Sequence, residues 1–314
     1  MRLVLSLITA GLVVAATASA SASDTALDSP DLAQTRQIGT RTSTDQTVTV
    51  QKGMRIDMTG TSGCNGFVTV RTWDRDAVRV RASHNSRTSV RITPRDQVLL
   101  VRTDATGPVS VDYELTVPHW IGFSAGSPWC SLDIDGLTGP VVAESVEGDI
   151  DLKNVSGTVS ANSVEGAIRV DGGKGRLELR AVEGDVVVAN AGGEIVAESI
   201  EGAITLKNVQ ATAVELSSVE GTINFLGSFA ASGRYLFTTH EGDIRLVIPE
   251  NSNATLTTRT FSGGKIDSTI PLKAVSSTSR NRRAVYTIGN GSAQVELETF
   301  EGAIVVRKPG EPQK

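Results

Sequence analysis

Short segments in which apolar and polar residues alternate make up most of the chain, and helical spacing is nowhere sustained. Between residues 48 and 118 the alternating runs include MRIDM, FVTVRTW, AVRVRAS and VSVDYELTV, each bounded by Gly, Pro, Asp or Asn. Alternation with period two, in runs rich in β-branched residues, is typical of strands that bury one face. The pattern predicts an all-β protein with no convincing α-helix.

From about residue 132 onward a single unit recurs. Its copies are SVEGDI (145–150), SVEGAI (163–168), AVEGDV (181–186), SIEGAI (199–204), SVEGTI (218–223), THEGDI (239–244) and TFEGAI (299–304). Successive glutamates are 18, 18, 18, 19, 21 and 60 residues apart, and the last interval contains a degenerate copy, TFSGGKI, at 260–266. A short fixed period indicates a repeat architecture.

The period of about 18 residues predicts how many strands and turns form one coil. Eighteen residues accommodate two strands of about five residues and two turns, and the half-repeats NVSGTV (154–159) and NAGGEI (190–195) supply the second turn. Because no coil can bury its aliphatic face alone, stacking must create the core. Each unit requires glycine either because φ is positive there or because another backbone segment approaches closely. The expected inward residues are Val141, Ala143, Ser145, Val159, Ala161, Ser163, Leu177, Leu179, Ala181, Ile195, Ala197, Ser199, Val214, Leu216, Ser218, Val295, Leu297 and Thr299 on one strand, and Ile150, Leu152, Ile168, Val170, Val186, Val188, Ile204, Leu206, Ile223, Phe225, Ile244, Leu246, Ile304 and Val306 on the next.

The ends of the chain differ from the repeats. Met1-Arg2, the mostly apolar run Leu3–Ala16 and Ala18-Ser19-Ala20 are typical of a secretory signal, with a retained membrane anchor as the alternative. No later stretch is apolar enough for a span. We expect a signal peptide at 1–20, a disordered linker at 21–45, N-terminal strands and a cap at 46–130, solenoid repeats at 131–308 and a frayed tail at 309–314.

Composition adds three points. Aromatic residues are only 4% of the chain, which suits a thin aliphatic core, and the net charge of −5 argues against nucleic acid as a partner. Two cysteines, Cys64 and Cys130, in an exported chain favour a disulfide over two free thiols. No motif indicates a cofactor or a catalytic centre.

The stretch VDYELTVP (111–118), followed by repeats of the form V-x-A-x-S-V-E-G-D-I-x-L-x-N-V-S-G, resembles the DUF4097 family of β-strand-repeat candidate adhesins. The resemblance covers roughly residues 46–306. It implies a single-stranded right-handed β-solenoid with ~18-residue coils and a capped N-terminal β region, located at the envelope or surface, and it carries no catalytic residues onto this chain.

The repeated glutamates have two interpretations. Stacked coils would place them about 4.8 Å apart, where like charges repel unless they are solvated or bind cations. A solvated turn is one interpretation. The other is a weak cation site, for which the candidate ligands are Glu147, Asp149, Glu165, Glu183, Asp185 and Glu201.

Charge and aromatic residues suggest other surfaces. Residues 71–102 hold eight arginines against three aspartates, a net of +5, whereas residues 132–204 hold fourteen acids against five bases, a net of −9. The basic segment is either a solvated face or a docking patch for an anionic glycan, lipid headgroups or an acidic partner. The segment HWIGFSAGSPWC (119–130) is either a cap or an aromatic platform for sugars. The ligand-binding candidates are Arg71, Arg79, Arg81, Arg91, Trp120 and Trp129.

These observations favour an exported, non-enzymatic β-solenoid acting in adhesion or in surface or envelope interaction, periplasmic or at the cell surface. The alternative is a periplasmic envelope scaffold or sensor that works through protein partners. A polysaccharide-cleaving β-helix enzyme is favoured least, because a column of identical carboxylates singles out no acid and no nucleophile.

Overall fold

The structure is a computed structural model that describes residues 41–59, 65–107, 109–261, 264–278 and 283–311. These residues belong to one unit, Gly39–Lys314, and contain strands but no helix. The strands are β1 (Thr42–Thr49), β2 (Arg55–Met58), β3 (Asn65–Trp73), β4 (Ala77–His84), β5 (Thr88–Arg95), β6 (Val98–Ala105), β7 (Asp112–Pro118), β8 (Gly122–Ser127), β9 (Trp129–Asp135), β10 (Val141–Ser145), β11 (Ile150–Lys153), β12 (Ser156–Ser163), β13 (Ile168–Asp171), β14 (Lys174–Ala181), β15 (Val186–Ala189), β16 (Gly192–Ser199), β17 (Ile204–Lys207), β18 (Gln210–Ser218), β19 (Ile223–Leu226), β20 (Arg234–Glu241), β21 (Ile244–Val247), β22 (Ala254–Thr260), β23 (Ile266–Ser268), β24 (Lys273–Thr278), β25 (Arg283–Ile288), β26 (Ala293–Glu301) and β27 (Ile304–Arg307).

Two long, mostly parallel sheets share these strands. One sheet has the order β1-β4-β7-β3-β9-β11-β13-β15-β17-β19-β21-β27-β23, and the other has the order β24-β25-β22-β26-β20-β18-β16-β14-β12-β10-β8-β2-β6-β5. From β6 to β23 successive strands alternate between the sheets, so this part of the chain winds from one sheet to the other. In the register, Val141 of β10 lies opposite Val159 of β12, and Ile150 of β11 lies opposite Ile168 of β13. The architecture is all-β and solenoid-like, as the repeat predicts.

The core lies between the two sheets and is built as the alternation predicts. Every residue of the two predicted inward sets is buried. Aliphatic side chains fill most of it, but an aromatic cluster of Phe225, Phe229, Tyr235 and Phe237 occupies the coil where the repeat lengthens to 21 residues. Phe229, in the longer turn, stacks on Phe225 with ring centroids 5.0 Å apart. The extra residues of that turn therefore bring an additional ring into contact with the core.

Antiparallel strands flank the parallel stack at the N-terminal end of both sheets and at the C-terminal end of one sheet, whereas the other sheet ends in β23, which pairs in parallel with β27. At the N-terminal end β4 pairs with β1 and β7, and β5 pairs with β6; at the C-terminal end β25 pairs with β22 and β24. These strands cover edges of the parallel stack whose unpaired N–H and C=O groups could otherwise pair with a strand of another chain. β1 includes residues 42–45 of the segment predicted as linker, because Asp45 on this strand binds Arg79 of β4.

The predicted boundary between cap and repeats also differs from the structure. β8 and β9 already pair in parallel with β10 and β11, with Phe123 opposite Val141 and Leu132 opposite Ile150. The segment 119–130 thus contributes a regular coil of the stack. It is not a plug at its end.

The C-terminal coils are stacked out of sequence order. β26 lies between β20 and β22, and β27 lies between β21 and β23. The coil that carries TFEGAI therefore inserts between the THEGDI coil and the degenerate TFSGGKI coil. This placement explains the interval of 60 residues, since Glu241 lies directly opposite Glu301.

Candidate functional site: the repeat corner

The Val-Glu-Gly units form one corner between the two sheets. Their glutamates make a column. From Glu165 to Glu241, the N–H of each glutamate donates to the carbonyl of the residue before the preceding glutamate, as in the 2.8 Å bond from Glu183 N to Val164 O. The column continues across the inserted coil because Glu241 pairs with Glu301. We call it the glutamate column; its members are exposed, and they are Glu147, Glu165, Glu183, Glu201, Glu220, Glu241 and Glu301.

A second column, of mostly apolar side chains, runs beside the first. We call it the corner ridge, and it consists of Val146, Val164, Val182, Ile200, Val219, His240 and Phe300. Five of these side chains, Val146, Val164, Ile200, Val219 and Phe300, are between 38% and 46% exposed. At its C-terminal end the His240 ring stacks on Phe300 at 4.8 Å, and Phe300 stacks on Phe261 at 5.4 Å. Each of these seven coils thus presents one carboxylate to solvent beside an apolar or aromatic group, which is exposed in all but Val182.

Close backbone packing explains the glycine of each unit. A Cβ on Gly184 would lie 2.1 Å from the carbonyl oxygen of Gly166, and a Cβ on Gly202 would lie 2.1 Å from that of Gly184. Neither glycine has a positive φ. Of the two roles expected for these glycines, close approach is the one that the corner requires. The corner is therefore rigidly spaced, and it sets the separation of the exposed side chains.

The aspartates beyond the glycines bind backbone rather than each other. Asp149 Oδ1 accepts from Ala167 N at 2.9 Å, and Asp185 Oδ1 accepts from Ala203 N at 2.8 Å. Asp243 does the same for Ala303. Each of these aspartates thus accepts a hydrogen bond from the backbone N–H of an alanine on the neighbouring coil. Within the described residues no group of three or more His, Cys, Asp or Glu side chains is arranged to hold a metal ion.

The second corner carries asparagines in the left-handed conformation. Asn154, Asn190 and Asn208 have φ values of 49°, 52° and 51°. Their side chains form a ladder in which Asn208 Nδ2 donates to Asn190 Oδ1 and Asn190 Nδ2 donates to Asp171 Oδ1, both at 2.8 Å. The half-repeats thus form the second turn, as predicted.

Replacing Asn190 with alanine is expected to lower the free energy of unfolding by about 1–2 kcal/mol, because alanine is strained at positive φ and the ladder bonds are lost. Asn190→Gly keeps the conformation and should cost less. Urea denaturation of both variants distinguishes the two contributions. Equal losses would show that the backbone conformation is unimportant here.

Most arginines of the predicted basic patch are ion-paired within the chain. Arg79 binds Asp45 through Nε and Nη2 at 2.9 and 2.6 Å, and Arg81 Nη1 lies 3.0 Å from Glu114 Oε2. Arg71 binds Asp133, and Arg91 binds Asp104. Carboxylates outside the basic segment, on β1, β6, β7 and β9, thus offset much of its charge. Binding of these arginines to an anionic glycan or lipid stays a prediction.

Protonation should weaken the pair between Arg71 and Asp133. The hydrogen bond from Arg71 Nη2, at 2.6 Å, lowers the pKa of Asp133, although partial burial opposes it. A carboxyl with a depressed folded-state pKa stabilises the fold above its unfolded value of about 3.9, and this stabilisation disappears as the pH falls through the lower folded value. Urea titrations below about pH 4 should therefore show a shallower loss of stability for Asp133→Asn than for wild type. Identical slopes would refute this contribution.

The two tryptophan candidates have different environments in the structure. Trp120 packs against the core, whereas Trp129 is 49% exposed and donates from Nε1 to Glu147 Oε1 at 3.2 Å. Trp129 occupies the position before Glu147 in the column, so it ends the column at the N-terminal side. Phe67, which the sequence pattern did not single out, is 63% exposed on β3, two residues from Asn65, which lies opposite Trp129. Only its place at an outward position of an alternating strand could have revealed it.

Cys130 is fully buried in β9. Gly66 of β3 lies opposite it, and Cys64 lies outside the described residues, two positions before Gly66. The disulfide between Cys64 and Cys130 stays a prediction. The predicted signal peptide at 1–20 and most of the predicted linker also lie outside the described residues.

These features define a class of protein: an all-β, solenoid-like stack of coils that repeats one set of exposed groups along its corner. Residues 177–307 match the family model described as Toastrack DUF4097, which confirms the resemblance to DUF4097. No curated protein matches the chain. Among the described residues there is no helix with the length and hydropathy of a membrane span.

Solved structures of low identity also resemble the chain. A candidate adhesin from Parabacteroides merdae ATCC 43184 is 12% identical, with 85% of this chain and 97% of that one covered and a TM-score of 0.48. A candidate adhesin from Parabacteroides distasonis ATCC 8503 is 13% identical over 85% and 98%, with a TM-score of 0.39. A candidate lipid-binding protein from the same organism is 8% identical over 86% and 98%, with a TM-score of 0.23.

Proposed function

We propose that this protein is an exported, non-enzymatic β-solenoid that acts in adhesion or in surface or envelope interaction. The observation that carries the proposal is the corner itself, where each of the seven Val-Glu-Gly-type coils displays an exposed carboxylate beside a ridge residue, and all of these ridge residues except the half-buried Val182 are exposed. Exposed apolar groups gathered in one place, rather than scattered singly, mark interaction surfaces. Export rests on the signal-like run Leu3–Ala16, which precedes a chain of repeats.

The charges support a binding role over catalysis. Among the described carboxylates, those whose pKa is clearly shifted have it lowered, as in Asp45 and Glu178, where a hydrogen bond from arginine is the main cause. A general acid needs the opposite shift at neutral pH. The glutamate column offers the same group in every coil, so no member is distinguished as acid or nucleophile.

We further propose a right-handed coil of about 18 residues, because crossover connections between parallel strands are almost always right-handed. The pairing of Cys64 with Cys130 belongs to the same proposal, and an oxidising compartment would form it. The alternative function is a periplasmic scaffold or sensor that acts through protein partners.

Cell fractionation tests export. The full chain should appear in the periplasm, on the surface or in the medium, and a Leu7→Arg plus Leu12→Arg variant, which interrupts the apolar run, should stay in the cytoplasm. A full chain found in the cytoplasm with its first twenty residues attached would contradict the proposal.

Binding of purified residues 21–314 to whole cells and to envelope extract separates the two functions. Adhesion predicts binding to intact cells, whereas the scaffold alternative predicts capture of partners from extract alone. Binding to neither would overturn the interaction role. Release of reducing sugar from acidic polysaccharides would instead favour the enzymatic alternative.

A further inference from the structure

Most members of the glutamate column form no ion pair, unlike many of the acidic groups on the sheet faces. Acidic residues on the sheet faces are mostly paired within the chain: Asp133 with Arg71, Glu178 and Glu194 with Arg176, Glu198 with Arg180, and Glu298 with Arg259. In the described part of the chain, Glu165, Glu183, Glu201, Glu220 and Glu301 form no ion pair. Ion pairs thus offset many of the acidic charges on the sheet faces, whereas most of the carboxylates beside the corner ridge have none.

The spacing of the column favours a cationic ligand. Backbones of neighbouring coils lie about 4.8 Å apart, and two unit charges at that distance repel by roughly 1 kcal/mol even in water. Rotamer changes and salt reduce this repulsion but do not reverse it. A positively charged partner would relieve it at several coils at once. Pairing two copies of this chain through the column would increase it, so a second copy is a poor occupant.

Because the corner ridge lies beside the glutamate column, a ligand of the corner should carry apolar groups as well as positive charge. Beside it lies an open depression of about 310 Å³, walled by Val164 and Val182 on the ridge and by Glu144, Asn162 and Arg180 on the sheet face. Arg180 is itself paired with Glu198 at 3.0 Å. An aliphatic side chain from a partner can enter this depression while the cationic groups of the partner contact the glutamate column.

From this geometry we propose that the corner binds a cationic amphipathic helix, a polypeptide segment whose apolar stripe is flanked by lysines or arginines. A helix advances ~5.4 Å per turn, close to the ~4.8 Å between coils. The mismatch adds up to half of one coil spacing only after about four turns, so a helix of that length can contact one coil with each turn. An extended strand places side chains on one face ~6.6 Å apart and loses register at once. The proposal rests on the proposed interaction function and names the partner of the corner.

Fluorescence anisotropy with a labelled peptide tests it. The probe is an amphipathic helix of about 16 residues, with leucines on one face and lysines flanking them. The purified protein should bind it at low ionic strength, more weakly as salt rises. A peptide with glutamates in place of the lysines, and one with the leucines replaced by serines, should both bind at least about tenfold more weakly.

Two sets of variants locate the site. Glu165→Gln plus Glu183→Gln plus Glu201→Gln removes charge, and Val164→Ser plus Val182→Ser plus Ile200→Ser removes the ridge. Each should weaken binding by about tenfold or more. The matched controls, Glu215→Gln plus Glu296→Gln on the sheet face and Val275→Ser on β24, should bind as wild type does. Unchanged circular dichroism and melting establish that each variant is folded.

Three results would overturn the inference: no binding by the wild type, equal binding of the acidic peptide, or folded corner variants that bind as tightly as the wild type. Suppression of binding by calcium or magnesium in excess of its ionic-strength effect would assign the column to divalent cations instead. Because these measurements use purified protein and a defined peptide, they can fail while export and cell binding stand. The two proposals are therefore tested separately.

Discussion

Replacing Gly184 with alanine is expected to destabilise the protein by about 4 kcal/mol or more. The new methyl group would lie 2.1 Å from the carbonyl oxygen of Gly166. Backbone, rather than a flexible side chain, must move, so two stacked coils have to separate at the corner. Because Gly202 is in turn stacked on Gly184, the displacement affects the ladder on both sides. The glycine is required by contact between coils, not by its own torsion angles.

Urea denaturation followed by circular dichroism measures the effect. The matched control is Gly227→Ala, since a Cβ there would come no closer than 3.6 Å to another atom. That substitution should change stability by less than about 1 kcal/mol. If Gly184→Ala were as stable as Gly227→Ala, the coils would not approach as closely at this corner as the structure indicates.

Ending the chain after Ser292 is expected to have the second large effect. β26 carries ladder bonds to β20 on one side and to β22 on the other, and β27 does the same for β21 and β23. Their removal deprives β22 and β23 of their parallel neighbours and exposes the apolar edge of the preceding coil. Amides from 254 to 288 should lose protection completely, whereas coils near β12 to β17 should stay protected.

Hydrogen exchange measured by mass spectrometry shows whether the truncation affects residues 254–288 or removes only a terminal coil. If coils stacked in sequence order, removing the last one would leave residues 254–288 protected. A chain ending at Glu311 is the control, because it retains every described strand and should exchange as the full chain does. Retained protection of 254–288 in the shorter chain would contradict the inserted coil.

The alternation of apolar and polar residues predicted much of the fold. Inward residues such as Val159 and Leu206 are buried as expected, because period two and stacking leave them only one direction to face. The half-repeats with Asn154 and Asn190 could be identified as turns for a similar local reason. The local sequence pattern was therefore sufficient to predict burial and turns wherever neighbouring coils have the same conformation.

Long-range pairings could not be predicted in this way. Nothing in the spacing of TFEGAI shows that its coil inserts beside THEGDI, since a break of 60 residues is compatible with either order. The basic segment looked like a patch because its partners, Asp45, Glu114 and Asp133, lie on strands remote in sequence. The absence of ion pairs along most of the glutamate column likewise depends on which arginines pair with carboxylates of neighbouring coils, and the repeat pattern alone does not show this.

The continuity of the corner across the inserted coil is the central claim, and cysteine cross-linking tests it most directly. His240 stacks on Phe300, and Phe300 stacks on Phe261, so His240 and Phe261 are separated by one coil. Oxidation should therefore join His240→Cys to Phe300→Cys, with the bond identified by peptide mass mapping. The pair His240→Cys with Phe261→Cys should stay unlinked. A cross-link between positions 240 and 261, and none between 240 and 300, would contradict the inserted coil and with it the unbroken corner.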